Sequence, residues 1–292
     1  MTNLSHTELS EICIHLKETK PKNITRIYGG HIHNSWKIDF PQDSIFVKKN
    51  SRDKKFLKFE NQCLKDLRKF INPANLVLPE VLGYLEINNI ELLLMEWIDM
   101  KSNLQTKLGK GLAEMHLNSY QNHPKSFGYS LKGFIGTSNQ IEGWEYNWAD
   151  SFIKLRLEPQ FKNLKDKDLN KNIINKLKSK IKNILLEHTP YNSLVHGDLW
   201  SGNIGISNLN KGVIFDPASW WADCEVDIAM SRLFGGFNYE FYEEYYKILP
   251  RQEGYKKRTI IYNLYHVLNH ANMFGGMYLQ QVYDYIKEIL EM

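Results

Sequence analysis

Cysteine is scarce in this chain. Of 292 residues only 3 are cysteines, Cys13, Cys63 and Cys224, far apart and odd in number. No metal-binding or redox spacing joins them, so a disulfide-stapled secreted fold is not expected and a reducing cytoplasm is. Long apolar runs are also lacking. The most apolar stretch, Leu92-Leu93-Leu94-Met95, stops at Glu96, far short of the ~20 residues a membrane helix needs. His6, Glu8 and Glu11 stand where a signal peptide would carry a basic start and an apolar segment. With 18 glycines and 9 prolines, a fibrous or low-complexity chain is ruled out. No G-x-x-x-x-G-K-[ST] run exists, which excludes a P-loop nucleotide site. Charge of one sign is not dominant either: 37 Lys and Arg face 33 Asp and Glu, a net +4. Much of the excess lies between Lys162 and Lys182, where aromatics and Arg are sparse, so it reads as a solvated helix face and neither a nucleic-acid nor a membrane partner is expected.

What is present is a chain able to fold. It is 42% hydrophobic and 13% aromatic, and its length suggests about two lobes. The first hundred residues read as strand-rich with two helices: Ser5–Lys17 and Phe56–Phe70, with strands over Asn23–Tyr28, Ile32–Ile38 and Ser44–Lys48. A hairpin, Val81–Ile87 with Ile90–Glu96, turns at Asn88-Asn89. Helices dominate afterwards: Ser102–His116, Trp148–Phe161, Leu169–Glu187, Glu225–Phe234, Glu240–Leu249, Arg258–Phe274 and Met277–Leu290. Between them, Leu194–Trp221 reads as loops and short strands. The expected architecture is α+β and bilobal, a small lobe over residues 1–96 and a larger helical lobe over 97–292, with a ligand cleft between them.

The most informative segment is Val195-His196-Gly197-Asp198-Leu199-Trp200-Ser201-Gly202-Asn203. H-x-D-x-x-x-x-N is the catalytic-loop spacing of kinase-like phosphotransferases. It sets a carboxylate, Asp198, beside an attacking hydroxyl and then returns an amide oxygen, Asn203, toward a metal ion. A second metal-holding acid is required, and Val213-Ile214-Phe215-Asp216 supplies it at the end of a short apolar strand. A cation for the phosphates is expected from the small lobe. Lys48, ending Ile45-Phe46-Val47-Lys48, fits, with Glu60 on the following helix to orient it from the cleft edge. Seen alone, both would pass for surface charges. Gly29-Gly30, between two strands, is a candidate phosphate-covering turn, although it lacks G-x-G-x-x-G and an ordinary hairpin glycine pair stays open. Glu96, Trp97 and Ile98, at the lobe boundary, are placed to present backbone groups to an adenine edge. Trp200 sits inside the catalytic loop, where a ring face suits a sugar or a cationic amine. Trp220-Trp221 reads as core packing.

These stretches, together with Phe215-Asp216-Pro217-Ala218-Ser219, Glu225-Val226-Asp227-Ile228-Ala229-Met230, Leu233-Phe234-Gly235-Gly236-Phe237 and Tyr262–His270 followed by Phe274-Gly275-Gly276, resemble the fructosamine kinase (ketosamine-3-kinase) family, whose fold is protein-kinase-like and shared with aminoglycoside phosphotransferases. The resemblance covers nearly the whole chain. It implies ATP- and Mg²⁺-dependent phosphorylation of a ketosamine on its 3-hydroxyl, leading to deglycation. It implies Asp198 as proton acceptor, Asn203 and Asp216 as metal holders, Lys48 and Glu60 as the phosphate-orienting pair, Glu96, Trp97 and Ile98 as the adenine linker, and Trp200 as a wall for the sugar. Some members carry a cysteine in the phosphate-covering turn that cross-links two chains. Here Gly29 to Ser35 has none, and a monomer is expected.

Rival readings carry less. His266 and His270 share a helix face, yet Val267 replaces the Glu of a zinc-protease motif and no third ligand is evident. They read as packed or hydrogen-bonded residues, or, for His266, as an acceptor contact. Asp216-Pro217-Ala218 replaces D-F-G and no A-P-E segment follows, so protein kinase activity is not expected. An aminoglycoside- or choline-type kinase and a nucleotide-binding pseudokinase remain as alternatives on the same scaffold.

Overall fold

The computed structural model describes residues 4–29, 33–52, 55–101, 103–164 and 169–292. Helix α1 (His6–Leu16) opens on a capping box, in which Ser5 and Glu8 bond each other's backbone amides. Strands β1 (Asn23–Ile27), β2 (Asn34–Asp39) and β3 (Ser44–Asn50) form a meander, and α2 (Phe56–Arg68) follows. After β4 (Leu76–Val77) come β5 (Val81–Ile87) and β6 (Ile90–Glu96). Asn88 and Asn89 between them take φ values of 50° and 64°, the two-residue turn that the paired asparagines predict. The result is an antiparallel sheet of order β1-β2-β3-β6-β5.

Alternation along these strands decides where Lys48 goes. Ile45, Val47, Leu92 and Leu94 face α1 and pack with Ile12 and Trp36. Leu93 and Met95, on the opposite face, join the main core with Leu57, Phe59 and Cys63 of α2. Each such side chain contributes about 1.5–3 kcal/mol when fully buried. Lys48 pairs with Leu93 in the β3–β6 register, so strand geometry points it at α2.

The remaining chain is mainly helical. Short β7 (Met100–Lys101) precedes α3 (Thr106–Gln121), which begins later than the apolar spacing suggests; Ser102, the expected start, lies outside the described residues, and ahead of the helix the Asn103 side chain takes the Leu104 N–H at 2.8 Å. Four strands of three residues, β8 (Phe127–Tyr129), β9 (Gly133–Ile135), β10 (Ser138–Gln140) and β11 (Gly143–Glu145), fill a stretch in which no strand was expected. The helix expected over Trp148–Phe161 is three pieces: α4 (Trp148–Ser151), a π-helical turn over Phe152–Leu157, and α5 (Glu158–Asn163). In that turn the Arg156 guanidinium lies 3.9 Å from the Trp220 ring. Next come α6 (Lys171–Leu186), β12 (Asn192–Val195), β13 (Ile204–Ser207), β14 (Gly212–Ile214) and β15 (Trp220–Asp223). The chain finishes with α7 (Glu225–Leu233), α8 (Tyr239–Ile248), α9 (Tyr255–Phe274) and α10 (Met277–Glu291). β12 and β15 sit in a sheet with β8 and β11, while β4 pairs in parallel with β14, whose other neighbour β13 pairs with β7. Among the described residues no helix is long and apolar enough to cross a membrane.

Candidate active site

The loop after β12 is built around backbone hydrogen bonds. Gly197 has φ +84°, and a Cβ there would run into the carbonyl oxygen of Ala218, so only glycine fits. Ala218 in turn donates its N–H to the His196 carbonyl at 2.8 Å. The His196 and Gly197 amides both donate to Asp227 on α7, at 2.7 and 2.8 Å. His116 of α3 lies 3.1 Å from the same carboxylate through Nε2 and 2.9 Å from the Tyr245 hydroxyl through Nδ1. Asp227 is fully buried. Burial alone would raise its pKa, but the bonds from His116 and the Gly197 amide hold it below the ordinary carboxylate value. His196 ties the loop to the segment that follows β14: its Nε2 lies 2.9 Å from the Phe215 carbonyl, and the Asp198 N–H reaches its Nδ1 at 3.3 Å. Burial keeps this imidazole neutral, which matches one ring nitrogen donating and the other accepting.

That frame fixes the polar groups. Asn203, in a 3-10 turn over Ser201–Asn203, donates Nδ2 to the Asp198 carbonyl at 2.8 Å and to its carboxylate at 3.2 Å. The amide nitrogen is thereby committed, and its oxygen is the end left to a ligand. The Phe215 N–H bonds the Asn203 carbonyl at 3.1 Å. Asp216 takes φ +59°, a left-handed conformation that Asp tolerates better than most residues. Asp198 is half-buried. Burial, then the charge of Asp216, pushes its pKa up to about 7, against the lowering bond from Asn203.

Lys48 closes the site from the other side. Its ammonium bonds Glu60 at 2.6 Å and also bonds Asp216. Lys48 is 5% exposed and Glu60 8%. Glu60 is thus buried, where the helix pattern had suggested a cleft-edge position. Burial would depress the Lys48 pKa, yet the carboxylates of Asp216 and Glu60 outweigh it and raise it. So Lys48, Glu60, Asp216, Asn203 and Asp198, read separately from the sequence, come together.

The other expected residues lie around this group. Gly29 has φ +125° with open space where a Cβ would be; Gly30 lies outside the described residues. His33, just beyond, stacks edge-on against Phe56 at 5.4 Å, and its buried Nδ1 lacks a partner among the described residues. The Glu96 and Trp97 amides donate to the carbonyls of Glu80 and Ser44 at 2.9 and 3.3 Å. The Trp97 ring lies beside Phe46 and under Lys37, with its Nε1 on Asp99 at 2.7 Å. Trp200 stands edge-on to Phe234 at 6.2 Å, and Phe234 meets His270 at 4.7 Å. His266 does not join them. It is 0% exposed, both ring nitrogens lack partners among the described residues, and burial pulls its pKa down to about 3. The acceptor contact expected of it is not one an enclosed ring makes; half-buried His270, one turn on, is the histidine that meets the aromatic row. Trp220 is fully buried, stacked on Trp148 at 5.5 Å, as core packing predicts.

Asp227, which holds the loop, is a residue to which sequence reasoning assigned no role. Its motif was visible, but two of its partners are backbone amides, which carry no residue-type signature.

A family model described as fructosamine kinase matches residues 4–292. A probable ketoamine kinase of Vibrio parahaemolyticus is 36% identical over 270 residues, 91% of each chain. The ketosamine-3-kinase of Mus musculus is 28% identical, over 86% of this chain and 89% of that one. A solved fructosamine-3-kinase-like structure from Haemophilus somnus superposes with a TM-score of 0.86 at 28% identity, covering 99% of this chain and 100% of the other. An aminoglycoside phosphotransferase shares the protein-kinase-like α+β fold at a TM-score of 0.65 and 15% identity, over 98% of each chain. With a match that runs from one end of the sequence to the other, the chain belongs to the fructosamine kinase family and is a kinase.

Proposed function

We propose that this kinase transfers the γ-phosphoryl group of ATP to the 3-hydroxyl of a ketosamine, so that the phosphorylated sugar then leaves its amine. The observation that carries this reading is the Lys48 ammonium, bonded at once to Glu60 and to Asp216. It links residues 1–96, read as the nucleotide lobe, to residues 97–292, read as the catalytic and acceptor lobe. The names of relatives support the acceptor class: the mouse protein is a ketosamine-3-kinase and the Arabidopsis thaliana one a protein-ribulosamine 3-kinase. A neighbour of the same fold was solved with AMP-PNP, which supports ATP as donor.

In this reading Lys48 moves from Asp216 to the phosphates, held by Glu60. The Asp216 carboxylate and the Asn203 amide oxygen form a hard oxygen set of the kind Mg²⁺ accepts; the ion, when bound, neutralises charge on the phosphates. Asp198 takes the proton of the acceptor hydroxyl as its oxygen bonds the γ-phosphorus and the bond to the β-phosphate oxygen breaks, releasing ADP. With the Glu96 and Trp97 amides held by Glu80 and Ser44, the adenine edge pairs with the carbonyls of Glu96, Trp97 and Ile98 and the Ile98 amide, and the turn at Gly29-Gly30 covers the phosphates. Trp200 offers its ring to the sugar.

The test is a panel of fructosamines, ribulosamines, aminoglycosides and choline with ATP and Mg²⁺, with the phosphate located by NMR. Phosphorylation of a ketosamine at its 3-hydroxyl is expected. Turnover of aminoglycosides or choline alone would overturn the acceptor assignment.

A further inference from the structure

Among the described residues, the helix that carries Glu60 makes no side-chain cap of its own. At its N-terminus Lys55 makes no side-chain capping bond, and the first turn of α2 contains no acidic residue. The first amides of any helix have no intrahelical partner and sit beside a positive dipole end. For two of these amides the acceptor comes from another element. Glu91, on β6, is 0% exposed. Its carboxylate takes the Lys58 N–H at 3.0 Å and the Leu57 N–H at 3.4 Å. The same carboxylate accepts Asn50 Nδ2 at 2.6 Å and the Tyr84 hydroxyl at 2.7 Å. Among the described residues no Lys or Arg forms an ion pair with it. Its four partners are two helix amides, an amide side chain and a phenol.

The partners matter as much as their number. Asn50 stands directly opposite Glu91 in the β3–β6 register, two residues beyond Lys48 on the same strand. Leu57 and Lys58 lie within the turn that leads to Glu60. One buried carboxylate therefore holds both the strand that delivers the cation and the helix that delivers its partner. We infer that Glu91 is a positioning residue: by capping α2 from the neighbouring strand it fixes Glu60 against Lys48, and the ion pair is formed before any ligand arrives. This rests on the kinase reading above, because only there does the Lys48–Glu60 pair set a rate.

The test is a double-mutant cycle. Turnover, the KM for ATP and the KM for acceptor are measured for wild type, Glu91→Gln, Glu60→Gln and the double variant. Loss of such a cap is expected to lower kcat about tenfold while the acceptor KM stays within about twofold. In the Glu60→Gln background the same change should lower kcat less than about twofold, because the residue it acts through is already gone. A purely structural role gives the same fold-loss in both backgrounds, and that result, or an unchanged kcat, overturns the inference. Should Glu91→Gln fail to fold, Glu91→Asp, which keeps the charge but withdraws it by one methylene, enters the same cycle with the same two outcomes. Hydrogen exchange of the intact protein supplies a readout independent of turnover. Faster exchange confined to the first turn of α2 supports the cap, and unchanged exchange there overturns it. If the wild type phosphorylates no acceptor, the kinase reading fails on its own and the exchange measurement decides the cap alone.

Discussion

The Asp227 carboxylate accepts the Gly197 amide at 2.8 Å, one residue before the candidate base. Its other oxygen takes the His196 amide and His116, so a single buried anion on α7 sets the path of the catalytic loop. Asp227→Asn keeps the shape but puts an amide nitrogen opposite groups that donate. The unfolding free energy should fall by about 2–3 kcal/mol, since bonds to a buried charged acceptor are the strong kind. Its folded pKa lies below its unfolded one, so this stabilisation is complete above the unfolded value of about 3.9 and is lost as pH falls beneath it. Denaturant titrations of wild type and variant should differ most at neutral pH and converge in acid. A constant difference at every pH would show that the charge of Asp227 is not what holds the loop.

The pH profile tests Asp198. Its carboxyl, pushed up to about 7 by burial and by Asp216, is able to accept a proton only above that range. kcat/KM should therefore rise with pH through about 7 and level off, since it reports the free enzyme. If Asp216 holds Mg²⁺ in the nucleotide complex as proposed, that charge would favour the ionised form, and the acid limb of kcat should lie at lower pH. Asp198→Asn should remove the limb and lower kcat at least about 100-fold, with ATP affinity kept within a few-fold. Near-normal turnover in that variant would remove the base assignment.

Lys48→Met leaves Glu60, 8% exposed, without its cation. Removing one preorganised charge or donor from a transferring group lowers kcat about 10²–10³-fold, and that loss is expected here with little change in the KM for acceptor. Steady-state kinetics at saturating ATP would check it. An unchanged rate would make Lys48 a structural charge.

Much of the site is legible in the chain because phosphoryl transfer needs particular side chains at particular intervals. Asp198, Asn203, Asp216, Lys48 and Glu60 could be picked out one by one, and the structure joins them. Groups whose partners are main-chain atoms could not be read in the same way. Asp227 binds amides thirty residues back in the chain, and Glu91 caps a helix that starts many residues earlier; neither leaves a local pattern. His266 shows the limit of spacing. It was read as a packed or hydrogen-bonded residue or as an acceptor contact, and α9 is buried over much of its circumference, so helical spacing alone does not tell which histidine is reached. The strands β8 to β11 were missed because three residues are too few for alternation to show.

The small sheet that pairs β4 with β14 and β7 with β13 has a mechanical consequence. It fastens the chain to the helical part at 76–77 and again at 100–101, on either side of the β5–β6 hairpin. Any tilting of the five-stranded sheet must be absorbed in three brief crossings, at 69–75, 78–80 and 97–99. The last of these includes Trp97 and Ile98, so an occupant gripping those two residues would stiffen a hinge of the whole molecule.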